Sequence, residues 1–282
     1  MDKSLTYHTS TLYYQVEGNH ANPSGSQAPP ATRRNAVVLL HGFAEDGAIW
    51  DAQIPQLKEQ YLLIIPHLPG SGKSSLDNDT SMESLAEAVK IILDTEAIEK
   101  CILIGHSMGG YITLAFAEKY PGRLLAFGLF HSTAFTDTEE KKEARRKGIE
   151  FIRRNGSAAF IKQSTPNLFS ETSRKDHPEW IDGFIEQYAR FNPDALIRYY
   201  EAMINRSDRT HILRQFPGPI LFIMGAQDSI IPLASGLQQC YMPSLSYIHI
   251  LEKAGHMGMK EDIRRSNQFL QDFIHNHYYD PE

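Results

Sequence analysis

The 282-residue chain has only two cysteines, Cys101 and Cys240, and neither sits in a CxxC pair. That excludes a disulfide framework and leads to an expectation of reduced thiols in a cytoplasmic protein. An excess of positive charge is also missing: 28 basic against 34 acidic side chains leave a formal net charge of −6. Nothing electrostatic therefore invites nucleic acid or an anionic membrane as partner. No apolar run approaches the roughly 18 residues that a membrane span needs. The opening "MDKSLTYHTS" has no apolar stretch of the secretory-signal kind, so a soluble protein is expected. The sequence carries no signature of oligomeric state.

What is present is an ordinary core composition, 41% hydrophobic and 22% charged. Short apolar runs recur, each ending in a Gly-, Pro- or polar-rich loop: "AVVLLHG" (36–42), "YLLIIPHLPG" (61–70), "CILIGHS" (101–107), "LLAFGLFHS" (124–132), "PILFIMGAQD" (219–228) and "YIHILEKAGH" (247–256). Apolar runs without strict alternation suit strands buried on both faces. Helical patterns lie between most of them, as in "SMESLAEAVKIILD" (81–94), where Ser81 is placed to cap and Leu85, Val89 and Ile92 share a face. The alternation implies an α/β fold, a mostly parallel sheet of about eight strands flanked by helices. The better-alternating "LTYHTSTLYYQVEG" (5–18) reads as an antiparallel hairpin at its edge.

Two stretches break the rhythm. "NHANPSGSQAPPATRRN" (19–35) has the composition of a long, mobile surface loop. Residues 133–213 carry helical patterns and no strand pattern, as in "TEEKKEARRKGIEFIRRNG" and "NPDALIRYYEAMI". The expected organisation is a core of residues 1–132 and 214–282 with a helical cap, 133–213, inserted over the strand ends.

The segment "IIPHLPGSGKSS" (64–75) ends much as a phosphate-binding loop does. A P-loop needs a first Gly five residues before its Gly-Lys pair, and that position holds His67. Pro66 and Pro69 further remove two amide donors. The nucleotide reading therefore fails.

Chemistry concentrates elsewhere. Gly105-His106-Ser107-Met108-Gly109 is a G-x-S-x-G between a buried strand and a helix, a context that strains the serine and lifts its hydroxyl above the sheet. β-Carbons at Gly105 and Gly109 would collide across such a turn, and Gly110 lets the helix pack close to a strand. The helix N-terminus also aims amides and its positive dipole end at charge forming near Ser107. A serine nucleophile needs a base. Of twelve histidines, His20 falls in the 19–35 loop and His177 in the cap. His275 and His277, at i and i+2, share no helix face and make no metal pair. His106 and His131 follow strands, with His106 packing behind the elbow. His256, in the glycine-flanked "EKAGHMGMKE", is the candidate base. Its acid is Asp228, at the C-terminal end of a strand, where open α/β sheets place ligands; Asp137, Asp208 and Asp262 compete from the cap, its border and the last helix.

Ser107, Asp228 and His256, in that order and in those loops, resemble the α/β-hydrolase family. "HLPGSGKS" is similar to that family's D-x-x-G-x-G-x-S turn, with His67 in the acidic position. "LLHGFAEDGAIWDAQIPQL" resembles its oxyanion segment. The resemblance implies backbone N–H donors at Phe43 and Met108, each worth about 2.7–4 kcal/mol in the transition state. It also implies a serine hydrolase, needing neither cofactor nor metal, that cleaves an ester-like bond through an acyl-enzyme. Cap aromatics (Phe135, Phe151, Phe160, Phe169, Trp180, Phe184, Tyr188 and Tyr199) suggest a small to medium hydrophobic substrate. Serine in place of aspartate argues against dehalogenases and epoxide hydrolases. Family members that cleave carbon–carbon bonds usually resemble G-N-S-x-G and carry Trp after the histidine; here the residues are His106 and Met257. Cofactor-free haloperoxidases or perhydrolases are similar at the HGF and SMGG segments, and a slow-turnover ligand receptor is the non-enzymatic alternative.

Overall fold

The computed structural model describes residues 1–18 and 35–278. The loop expected at 19–35 thus lies, but for Asn35, outside the described residues. The chain begins with β1 (Asp2–Tyr7) and β2 (Ser10–Glu17), an antiparallel pair in which Tyr7 faces Ser10 across a tight turn. More and less exposed positions alternate along both, from exposed to half-buried in β1 and with buried residues at every second place in β2, as suits strands with one face against the core. β3 (Ala36–Leu40), the short α1 (Ile54–Leu57), β4 (Leu62–Pro66), α2 (Met82–Thr95), β5 (Cys101–His106), α3 (Met108–Lys119) and β6 (Leu124–Phe130) follow. Every residue of β3, β4 and β5 is buried, which explains why these segments read as unbroken apolar runs. Ser81 caps α2 by accepting from the Ser84 N–H, and Leu85, Val89 and Ile92 are buried on its inner face.

After β6 the chain forms five helices before it re-enters the sheet: α4 (Glu139–Ser164), α5 (Glu171–Asp176), α6 (Pro178–Tyr188), α7 (Pro193–Asn205) and α8 (Thr210–Gln215). α4 is broken at Gly156, whose φ of 79° and ψ of 172° no helix contains. β7 (Ile220–Gly225), α9 (Leu233–Leu237), β8 (Ser246–Leu251), α10 (Gly258–Glu261) and α11 (Ile263–Tyr278) complete the fold. The eight strands form one sheet in the order β1-β2-β4-β3-β5-β6-β7-β8. Pairing is antiparallel for β1–β2 and β2–β4 and parallel from β4 through β8. β3 and β5 are central, so the loops at their C-terminal ends meet over the middle of the sheet. Both cysteines are free and buried. Among the described residues no helix is long and apolar enough to cross a membrane.

The glycine-rich turn after β4 spends its polar groups on the fold. The Ser74 hydroxyl donates to the His67 carbonyl and accepts from the Tyr13 N–H, while Tyr199 on α7 donates to the Pro69 carbonyl at 2.6 Å. His67, in the position of the family's acid, is buried with Nδ1 unpartnered among the described residues. Its ring packs on Gly72, where a β-carbon would lie 2.0 Å from Nδ1.

Candidate functional site

Ser107 joins β5 to α3 with φ 50° and ψ −113°, a conformation few non-glycine residues adopt. The backbone is held there: Ser107 N–H donates to the Phe130 carbonyl at 2.9 Å, and its carbonyl accepts from the Ser132 hydroxyl at 2.7 Å. A β-carbon at Gly105 would stand 2.3 Å from the Gly109 carbonyl group, across the turn. At Gly109 the obstacle is different from the one expected. A β-carbon there would meet the Leu40 and His41 carbonyls of the adjoining β3 strand and its loop at 2.8 and 2.7 Å. The elbow is therefore wedged against the loop that carries Phe43.

Asp228, just after β7, has every lone-pair direction engaged. Oδ1 accepts from the N–H groups of Ile230 and Ile231 at 2.8 and 2.9 Å. Oδ2 lies 2.8 Å from His256 Nδ1 and 3.2 Å from His131 Nδ1. Burial alone would raise the Asp228 pKa, but the two histidines hold it far below the carboxylate range. The hydrogen bond to Asp228 leaves His256 with Nδ1 as donor and Nε2 free to act. Both His256 and Ser107 line one cavity.

His131 sits at the end of β6 with φ 50°. The Gly258 N–H points at its Nε2 at 3.2 Å, while Nδ1 faces both Asp228 Oδ2 and, at 3.1 Å, the Gly225 N–H. A neutral ring carries one proton; placed on Nδ1 it points toward Asp228 and leaves Nε2 to accept from Gly258, at the cost of the contact from the Gly225 N–H. Burial lowers the His131 pKa to about 4, so the ring is neutral at pH 7.

A second polar set lies behind the elbow. His106 is fully buried, with Nδ1 3.0 Å from Glu45 Oε2 and Nε2 3.0 Å from the His256 carbonyl. Glu45 Oε2 also accepts from the Gly42 N–H at 2.7 Å. With an acceptor at each ring nitrogen, His106 is an imidazolium paired to a carboxylate. Burial opposes both charges, yet their attraction raises the His106 pKa and lowers that of Glu45. One ion pair thus ties the Phe43 loop, the serine elbow and the His256 loop together. Neighbouring His41 is neutral: it donates from Nδ1 to the Gly42 carbonyl and accepts at Nε2 from the Leu68 N–H, and burial lowers its pKa to about 4.

The cavity measures about 270 Å³. Phe43, Ser107 and His256 form its floor, and Phe160, Phe184 and Tyr200 from the helices between β6 and β7 close over them. Of the aromatics expected there, Phe160 and Phe184 line it. Phe169, Tyr188 and Tyr199 are buried in packing, and Trp180 stacks on His177 at 4.0 Å. Among the described residues nothing accepts from the N–H of Phe43 or of Met108. Asp208 pairs with Thr210, Asp262 caps Arg265, and Asp137 binds arginines, so Asp228 alone of the four acids meets His256.

His131, Asp228 and His256 bring their ligand-type atoms within 4.8 Å of one another, a composition some metal sites share. Here the two Nδ1 atoms sit at hydrogen-bond distance from one oxygen and hold protons toward it. A cation would have to displace both. Glu45 and His131 are the members of this constellation that sequence reasoning missed. Glu45 does follow the His-Gly-Phe segment by two residues, and His131 does end a strand, but neither spacing announces a partner far along the chain.

A profile of the α/β hydrolase fold family matches residues 35–262. A 2-hydroxy-6-oxononadienedioate/2-hydroxy-6-oxononatrienedioate hydrolase of Paraburkholderia phymatum is 27% identical, over 86% of this chain and 87% of its own. A pimeloyl-[acyl-carrier protein] methyl ester esterase of Neisseria meningitidis is 27% identical over 87% of this chain and 78% of its own. Among solved structures, a malate-bound thermophilic esterase from Thermogutta terrifontis superposes with a TM-score of 0.87 at 27% identity, covering 99% of both chains. The chain belongs to the α/β hydrolase fold family. It is a hydrolase.

Proposed function

We propose that the protein is a serine hydrolase that cleaves an ester-like bond of a small to medium apolar substrate through an acyl-enzyme on Ser107. The observation that carries this reading is the 2.8 Å bond from His256 to Asp228, with His256 and Ser107 on the wall of one cavity. In the proposed reaction Ser107 Oγ attacks the carbonyl carbon while His256 Nε2 takes its proton. The oxygen that gains charge is held by the N–H groups of Phe43 and Met108, which meet no acceptor among the described residues. His256 returns the proton to the leaving alcohol. Water then gives a proton to His256 and attacks the acyl carbon; as the acyl–Oγ bond breaks, His256 returns that proton to Ser107 Oγ and the acid is released. Asp228 holds the Nδ1-protonated tautomer and stabilises the imidazolium.

In this reading residues 133–213 act as a cap that excludes water, on a core of residues 1–132 and 214–282. Two unpaired thiols fit a reducing, cytoplasmic setting. A second reading, hydrolysis of a carbon–carbon bond, draws support from the Paraburkholderia relative, named for its unsaturated dioate substrates. His106 at the elbow and Met257 after the histidine favour the ester. The test is pre-steady-state hydrolysis of p-nitrophenyl acetate and butyrate. A burst of nitrophenol equal to the enzyme concentration, absent in Ser107→Ala, is expected. Hydrolysis by Ser107→Ala at the wild-type rate would defeat the reading.

A further inference from the structure

The cap wall of the cavity is cationic where apolar residues were expected. Lys141 and Arg145, at i and i+4 on α4, share one helix face and both line the cavity. Arg145 is almost wholly enclosed, with its side chain 12% exposed. It bonds Asp137 through Nε at 2.6 Å and through Nη2, to the other oxygen, at 3.5 Å, and Arg206 reaches that second oxygen at 3.0 Å. Two guanidinium groups thus share one carboxylate. Lys141 has no acidic partner among the described residues; it donates to the Ile230 carbonyl at 2.8 Å. Among the described residues Glu45 is the one acid lining the cavity, and its charge is already met by His106. Arg145 Nη1 donates to no group among the described residues.

The wall is also rigid. The Arg145 guanidinium stands 5.6 Å from the centre of the Tyr200 ring, and that ring stacks on Phe43 at 4.3 Å. The cation is therefore fixed relative to the loop that supplies the proposed oxyanion donor. A neutral acyl chain pressed onto this wall would keep positive charge out of water and give nothing back. An anion would restore the balance.

Building on the serine-hydrolase reading above, we infer that the substrate is apolar only along its spacer and carries a carboxylate remote from its ester-like bond, and that Arg145 and Lys141 are the residue pair that selects for it. The ligand class is a half-ester or lactone of a short dicarboxylic acid: an apolar spacer for Phe160 and Phe184, an ester carbonyl for Ser107, and a terminal carboxylate for α4. A planar guanidinium suits a carboxylate better than an ammonium does, because it offers two parallel donors.

The experiment compares monomethyl glutarate with methyl pentanoate, matched in chain length and differing in the terminal charge. On the wild type, kcat/KM for the half-ester is expected to exceed that for the neutral ester by about tenfold or more, the range of a hydrogen bond to a charged group. Most of the preference should appear in KM. Arg145→Gln is expected to bring the ratio of the two kcat/KM values near one, and Arg145→Lys to restore part of it. As a readout that needs no variant to fold, glutarate should inhibit wild-type hydrolysis of p-nitrophenyl acetate at lower concentration than pentanoate does. An active wild type that prefers the neutral ester, with glutarate the weaker inhibitor, overturns the inference and leaves the hydrolase reading standing. If neither ester nor p-nitrophenyl acetate is cleaved, the hydrolase reading falls, and the inference with it.

Discussion

His131 and His256 converge on one carboxylate oxygen, Asp228 Oδ2, at 3.2 and 2.8 Å. The proposed base therefore shares its acid with a second, neutral imidazole. With the Ile230 and Ile231 amides, that gives the carboxylate four donors, and its orientation toward His256 is determined from every side.

His131 should then be a positioning residue. His131→Leu removes one charged hydrogen bond, and kcat is expected to fall by about tenfold with little change in KM. His131→Asn should keep most of the rate, because asparagine tolerates φ near 50° and its amide can donate where Nδ1 does. Equal losses in the two variants would assign His131 to packing alone. Steady-state kinetics on one ester, with melting curves alongside, decides it.

The Glu45–His106 pair makes a different prediction. Glu45→Gln leaves a buried ring that must either shed its proton or stay charged without a partner. Breaking a buried pair from one side typically costs about 3–5 kcal/mol, so a clear drop in melting temperature is expected. Because Glu45 also holds the Gly42 N–H, kcat should fall more than KM rises. An unchanged melting temperature would show that His106 is neutral.

Stability should decline in acid over a defined window. His41 and His131 are buried neutral with pKa values lowered to about 4. The unfolded chain binds protons on both below about pH 6.5, and the folded chain does not until pH falls to about 4. Each therefore contributes stability that is present above pH 6.5 and lost, to the extent of about 3 kcal/mol, as pH falls through that interval. His106, with a raised pKa, has the opposite sign: its contribution is present below the unfolded value and is lost as pH rises through its folded one. Melting temperatures measured from pH 8 to pH 4 should pass through a maximum near neutrality. A curve flat between pH 6.5 and pH 4.5 would contradict the assignment of His41 and His131 as neutral.

The sheet and the elbow were legible in the sequence for a physical reason. Strands buried on both faces cannot alternate, so β3, β5 and β7 stand out as apolar runs, and the sharp turn at Ser107 demands small residues at fixed spacing. Asp228 and His256 could be proposed because each follows a strand in a loop at the same end of the sheet. The bond between Glu45 and His106 spans 61 residues, and the approach of His131 to Asp228 joins the ends of two strands. Such pairings follow from strand order, which local patterns do not encode. The cationic face of α4 was hidden for a related reason. Its charges look like a solvated helix surface until the helix is seen folded onto the cavity.

The proposed chemistry requires that a base activate Ser107. The most direct test is intact mass after exposure to a fluorophosphonate, run on the wild type and on Ser107→Ala. A single covalent adduct on the wild type and none on the variant is the predicted result. An adduct that persists on Ser107→Ala, or no adduct on a wild type that hydrolyses esters, would contradict the claim that Ser107 is the nucleophile.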